Sequence, residues 1–439
     1  MWRDNKSIVR HLRRVASLFG FVMLTLVVSE SQGQESPTLQ QARAAAKASP
    51  GKLQTQIAFA EALLEARKLG QARRVYAYVR RLHKGEVAGA YGMAKIQIAE
   101  ERIRAARGSC RKLIQAHLGR PEGHLCLGYT FLAWKRAARA QEPFEAALKM
   151  GSAKADAWIG LGEVHRLRLD VKKAENAYRQ ALKLDANRAL AHFGLGQLYA
   201  SVRRPDDAQR ELRAAIALNP GLAEPHYHLG RLLMPSAEAS AALAKAAEIR
   251  PGWAQALEAW GKNLGQLGQH EKAIDVLKRA VAAQPNLAPA HHQLGLSHAA
   301  LKQWTPAERS LNKAIKLVPS LSPAMMALAK VLVEQGRHRE ALDLYRQARS
   351  ITPNDAHIPM AAGRVMRDLS RNTQALAQFR RAGQLDPSWA APEVEQGDVY
   401  YGMEAFQTAR IHYEEAAKRP NRDGIDENHL QQRLQQLQQ

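Results

Sequence analysis

An alanine recurs along this chain at Ala72, Ala106, Ala140, Ala174, Ala208, Ala239, Ala273, Ala307, Ala341, Ala375 and Ala409, an even spacing broken only by the shorter step from Ala208 to Ala239. Four positions after each lies a bulky column: Tyr76, Cys110, Phe144, Tyr178, Leu212, Leu243, Leu277, Leu311, Tyr345, Phe379 and Tyr413. A small column precedes them at Ala60, Ala94, Gly128, Gly162, Gly196, Gly230, Gly261, Gly295, Ala329, Gly363 and Gly397. Length alone, at 439 residues, suggests two or three compact domains. The period points elsewhere, to one supersecondary unit repeated and stacked.

The stretch Ala191 to Pro220 shows what that unit is. His192, Leu195 and Tyr199 share one helical face, and Ala208, Leu212 and Ala215 share another. Arg203-Arg204-Pro205-Asp206 separates them. Proline suits the first turn of a helix, where its missing N–H has no partner to lose, so Pro205 opens the second helix and Pro220 follows its end. Small residues on one helix let the other approach, and the bulky column fills the adjacent gap. Neither helix of such a hairpin buries its apolar face alone.

The pattern resembles the tetratricopeptide repeat, most clearly at Trp158, Leu161, Gly162, Ala174, Tyr178 and Ala181. The resemblance implies an all-α, right-handed superhelical solenoid of about eleven hairpins over residues 53–423, with units starting near 53, 87, 121, 155, 189, 223, 254, 288, 322, 356 and 390. A concave groove lined by first helices is implied as well. Gly162, Gly196, Gly230, Ala174, Ala208 and Ala273 are then the close-packing positions, and Pro220 and Pro285 the stops. Residues 34–52 read as a leading half-repeat, and residues 424–439 as a capping helix or tail with Leu430, Leu434 and Leu437 on one face.

Some units depart from the pattern. Pro235 should end the first helix of the short unit early, and Pro143 should bend or delay a second helix. Thr305-Pro306-Ala307-Glu308 reads as a capped helix start. His124, His192, His226 and His291 occupy the family's first-helix Trp position. They recur once per hairpin, too far apart to share a metal, so flat packing with a polar tip is expected, and no metal or cofactor. Cys110 and Cys126 are candidates for a disulfide on consecutive antiparallel helices. However, Cys110 falls in the bulky column and Cys126 where the family turns side chains to the groove, so two independent core thiols are the default expectation.

Residues 1–33 read as an export signal: five basic residues, then an uncharged run from Val15 to Ser29, then small and polar residues to Gly33. The run is shorter than the about 20 apolar residues of a spanning helix, favouring a cleavable signal over an uncleaved signal-anchor. The location expected is the periplasm or envelope of a bacterial-type cell.

Lys and Arg number 64 against 41 Asp and Glu, a formal charge of +23. The signal region holds only five basic and two acidic side chains, so nearly all of the surplus belongs to the repeats. The resemblance directs Arg231, Lys262, Lys330 and Arg364 to the groove as a basic seam, and Tyr91, Tyr129 and Phe193 to its N-terminal half. Glu224, Glu258, Glu334 and Asp368 are expected near enough to neutralise part of the seam. Turns inside the hairpins carry a second basic series, Lys135, Arg136, Arg166, Arg168, Lys172, Lys173, Arg203, Arg204, Arg337 and Arg339, which stacking would align as a ridge.

No phosphate-cradling loop, metal helix or nucleophile elbow is present in the sequence, so no enzyme is expected. The reading is a non-enzymatic protein-interaction scaffold of the envelope, holding a partner's peptide or helix in the groove. The alternative is an envelope protein that lays the ridge on acidic polysaccharide or an anionic lipid surface, as in exopolysaccharide export. No nucleic-acid partner is expected for an exported chain.

Overall fold

The computed structural model describes residues 37–150 and 154–437. The export-signal reading of residues 1–33 falls outside them. The described chain is all-α: apart from an isolated bridge between Trp389 and Asn421, its regular structure is helices paired with their sequence neighbours. None of these helices is long and apolar enough to cross a membrane.

Two compact units divide at Pro251 and Gly252. Unit 1 begins with the helix Pro37–Ala48 and continues with six hairpins whose first helices are Leu53–Glu65, Val87–Ala99, Glu122–Ala133, Lys154–Leu167, Ala189–Ser201 and Ala223–Leu232. Unit 2 holds five more, starting with Ala254–Gln266, Ala288–Ala300, Ser322–Glu334, His357–Asp368 and Ala391–Gly402, and ends with the helix Glu427–Gln436. Pro220 and Pro285 follow helices that end at Leu218 and Ala283. The first and last of the described helices cover what stacking leaves bare. Leu39 of the leading helix and Leu430 of the last are buried, and Asp426 caps the last helix by accepting from the backbone N–H of Asn428 and His429.

All eleven members of the alanine column are fully buried, and the bulky column is at most 3% exposed. The contact is tight enough to demand glycine. Phe144 lies between Gly128 of its own hairpin and Gly160 of the next, where an added Cβ would come within 2.6 Å and 2.3 Å of the ring. Overlaps of that size force the ring or the helix to move.

Ten hairpins turn in the same way. In the first, Arg67 is left-handed at φ 57°, Lys68 N–H reaches back to Leu63 O at 2.8 Å and Arg67 N–H to Leu64 O at 3.0 Å. This satisfies carbonyls that a helix end would otherwise orphan. The left-handed position is filled in turn by Arg67, Glu101, Lys135, Leu169, Arg203, Gly268, Lys302, Gly336, Ser370 and Glu404. The sixth hairpin lacks it. Its first helix is only 10 residues long, a cis Met234–Pro235 bond follows, and Ser236 caps the next helix by accepting from Ala239 N–H at 3.0 Å.

Two local readings are settled differently. Pro143 does not delay its helix, which runs from Ala137 to Leu148 with the proline buried inside it. Thr305 is not a cap: the helix already begins at Trp304, and Glu308 is taken by Arg337 at 2.8 Å instead of reaching back.

Candidate interaction groove

The first helices of unit 1 bring aromatic side chains together through one column of the repeat. Tyr91, Phe193 and Tyr227 occupy it on the second, fifth and sixth hairpins, and Tyr129 lies one turn along on the third. All four are half-buried. Tyr129 stands edge-on to Phe144 with ring centroids 5.1 Å apart, and its hydroxyl donates to Asp156 O at 3.4 Å. Burial drives the hydroxyls of Tyr91 and Tyr129 far above the ordinary phenol range, and the nearby Asp156 adds to the rise in both. They act as neutral donors at any physiological pH.

Charged groups flank this strip in matched pairs. Glu61 accepts from Lys95 at 2.9 Å and from the Tyr76 hydroxyl at 2.6 Å, while Lys95 also lies 4.8 Å from the centroid of Tyr91. Glu163 repeats the arrangement, accepting from the Tyr178 hydroxyl at 2.5 Å and from Arg166 at 2.7 Å. Arg166, read from sequence as part of the ridge, is thus a partner of this cluster.

His228 sits among Phe193, Tyr227 and Gln197. The amide nitrogen of Gln197 can only donate, so at 3.0 Å the His228 Nε2 accepts and the ring is neutral. Burial lowers its pKa to about 4, helped by Arg231 and Arg166.

A contact of 185 residues in sequence separation ties the ends of the strip together. Arg250, which ends the last helix of the sixth hairpin, reaches Glu224 at 2.6 Å and Glu65 on the first hairpin at 3.3 Å. Burial raises the Glu65 pKa to about 7, Glu224 adds to that, and Arg250 opposes it.

The basic seam is not continuous in character. Arg231 of unit 1 lies over the Tyr227 ring at 5.5 Å. In unit 2, Lys262 and Lys330 are exposed and make no ion pair among the described residues, whereas Arg364 is held by Glu395 at 2.6 Å, a carboxylate that Arg367 also grips. Glu395 escapes a reading of the sequence because it stands two positions before Gly397, in a column that unit 1 fills with Gly92, Gly160 and Gly194. Those glycines meet the preceding hairpin's bulky residue, so the column is not a free groove position.

The same column corrects the reading of the cysteines. Cys126 occupies it and is fully buried against Cys110, and the two form a disulfide with Cα atoms 5.5 Å apart. The bridge takes the place of the ring-on-glycine contact made by the neighbouring hairpins. Of the other residues missed, Tyr227 was legible in the Tyr91 and Phe193 column, while Glu65 and Arg250 had no local signal.

Six of the ten ridge residues, Arg166 included, are engaged by neighbours, four of them by a carboxylate. Arg136 stacks on Trp134 at 4.1 Å, Arg168 donates to Gln141 at 3.0 Å, Lys173 pairs with Asp170 at 3.2 Å and Arg204 with Asp207 at 2.5 Å. Arg337 takes both Glu308 and Glu340. Lys135, Lys172, Arg203 and Arg339 remain exposed without an ion pair among the described residues. The histidines of the Trp column behave as flat rings with a polar tip: Nε2 of His192, His226 and His291 meets a carbonyl earlier in the chain at 3.4, 3.1 and 3.0 Å. His124 is half-buried in the same column, its pKa lowered by desolvation.

Tetratricopeptide repeat models match residues 127–189, 292–356 and 326–388, and a second such model matches residues 254–287. No curated protein sequence matches the chain significantly. Among solved structures, YrrB, described as a TPR protein with an unusual peptide-binding site, is 23% identical over 43% of this chain and 98% of its own, with a TM-score of 0.38. Yeast Tom70 is 12% identical over 88% of this chain and 95% of its own, at 0.43. MamA from Desulfovibrio magneticus RS-1 is 24% identical over 38% of this chain and 95% of its own, at 0.35. Evenly spaced, stacked hairpins, with matches to the repeat models in both units, make this chain a tetratricopeptide repeat protein.

Proposed function

We propose that this protein is an exported, non-enzymatic scaffold of the cell envelope, whose unit 1 groove holds a peptide segment or helix of a partner protein. The observation that carries the reading is the strip of Tyr91, Tyr129, Phe193 and Tyr227. Rigid amphipathic rings supply contact area at low entropic cost, and the paired charges around them give direction to a bound chain. The Cys110–Cys126 disulfide supports export, because such bridges persist in oxidising compartments.

A photo-crosslinking amino acid placed at Phe193, and in a second protein at the exposed Lys172 in the first turn of a second helix, tests the reading in cells. Protein adducts from position 193 that are lost with Tyr129→Ala and Tyr227→Ala support it. Adducts from position 172 alone overturn it. N-terminal sequencing of the mature chain tests export: processing after Ser29 or Gly33 is expected, and an intact start in the cytoplasm refutes it.

The second reading, association with acidic polysaccharide or anionic lipid, draws on the exposed Lys135, Lys172 and Arg203 of unit 1 and Arg339 of unit 2. It is the weaker one, because six of the ten ridge cations are already engaged by neighbours, four of them by a carboxylate. Charge reversal of Lys135, Lys172, Arg203 and Arg339 separates the two: intact protein partners with lost polymer or membrane retention favour the ridge, and unchanged retention favours the groove.

A further inference from the structure

Unit 2 has a second concavity, on the second-helix side. The helices His338–Ile351 and Asn372–Leu385 form its walls and His357–Asp368 its floor. The cleft measures about 440 Å³, with Leu342, Tyr345, Ile358, Ala362 and Met366 beneath it. It adjoins a hollow of about 470 Å³ through the shared Arg346, Arg349 and Gln378.

Four guanidinium groups stand over this apolar floor: Arg346, Arg349 and Arg371 at the cleft, and Arg381 at the hollow. Among the described residues no aspartate or glutamate lines either space. Arg346 has Asp343 at 3.1 Å, but Arg349, Arg371 and Arg381 have no acid partner among the described residues. Other surface arginines of unit 2 do find one, as Arg337 does with Glu308 and Glu340 and Arg410 with Glu414. Uncompensated like charges gathered round an apolar recess create a site whose complement is an anion carrying an apolar group.

We propose that this cleft docks an acidic peptide, which seats one aliphatic or aromatic side chain on the Leu342, Ile358 and Met366 floor and places flanking carboxylates against Arg349, Arg371 and Arg381. A polyanionic sugar would satisfy the arginines but leave the floor uncovered. A membrane plane would meet the rim and not the recess. The site is separate from the unit 1 groove and does not depend on that reading.

Fluorescence anisotropy of the full chain with a labelled Glu-Glu-Leu-Phe-Glu-Glu peptide tests this. Arg349→Glu with Arg381→Glu, at exposed positions, should weaken binding about tenfold or more, as should replacing the peptide's Leu-Phe by Ser-Ser. Arg349→Gln with Arg381→Gln should give an intermediate loss, and the groove variant Tyr129→Ala should bind as wild type does. The proposal is overturned by no binding to wild type, or by unchanged binding to the charge-reversed variant. It is also overturned by dependence on Tyr129, or by equal affinity for polyglutamate, an acidic polysaccharide or anionic vesicles.

Discussion

The bulky column is held differently in the two units. In unit 1, Phe144 and Tyr178 are pressed between a glycine of their own hairpin and a glycine of the next, Gly160 and Gly194 respectively. In unit 2 the position that supplies that second glycine carries Gln293, Ala327, Ala361 and Glu395, following Leu277, Leu311, Tyr345 and Phe379. Removing the glycine lets a side chain stand between hairpins, and with Glu395 that side chain becomes a partner for Arg364 and Arg367. One family pattern thus yields an aromatic, tightly pressed first unit and a more polar second one.

The largest test of this contrast is the disulfide, which lies in unit 1. Reduction, or Cys110→Ala with Cys126→Ala, should destabilise unit 1 by about 3 kcal/mol, seen by calorimetry as a lower first transition with the second unmoved. A shift of both transitions together would erase the distinction.

Next comes Gly160→Ala. With its Cβ 2.3 Å from Phe144, it should cost about 2 kcal/mol, while Ala361→Gly in unit 2 should cost less than half as much. Equal losses in thermal melts would show that the second glycine is not what sets unit 1 apart.

A smaller effect is set by acidity. His228 stays neutral to about pH 4, whereas an unfolded histidine protonates near 6.5, so the unfolded state binds more protons in that window. Unit 1 should lose about 1–2 kcal/mol as pH falls through it. Glu65 acts in the opposite sense: its pKa of about 7 exceeds the unfolded value, so its contribution is greatest at low pH and lost as pH rises through 7. Glu65→Gln should therefore steepen the acid loss and His228→Gln should reduce it, and melts that keep the wild-type slope in both would refute this.

The smallest is a gain. Leu169 is left-handed at φ 61° and 85% exposed, so Leu169→Gly should stabilise by about 0.5–1 kcal/mol. Gly336 already occupies the equivalent turn position in unit 2, and Gly336→Leu should cost a similar amount. Chemical denaturation reads both, and opposite signs from those given would dismiss the turn argument.

The fold was legible because its signal is redundant: the alanine column, the small column and the prolines at the helix ends all say the same thing. The site was only half legible. Tyr91, Tyr129 and Phe193 follow from the columns, but which face each column presents depends on the preceding hairpin as well as on its own. Cys126 and Glu395 were misjudged or overlooked for that reason. The contact of Arg250 with Glu65 lay beyond any local pattern, since nothing in the hairpin of either residue, or in the one beside it, announces the other.

That contact changes how unit 1 must behave as a polymer. A stack that touches only its nearest neighbours can fray from either end, one hairpin at a time, with each step independent of the far terminus. Once Arg250 holds Glu65, releasing the first hairpin also removes a contact of the sixth, so the two ends of the unit share one interaction that a simple stack lacks. A ligand bound near Glu65 would then be sensed at Glu224 without any signal crossing the hairpins between them.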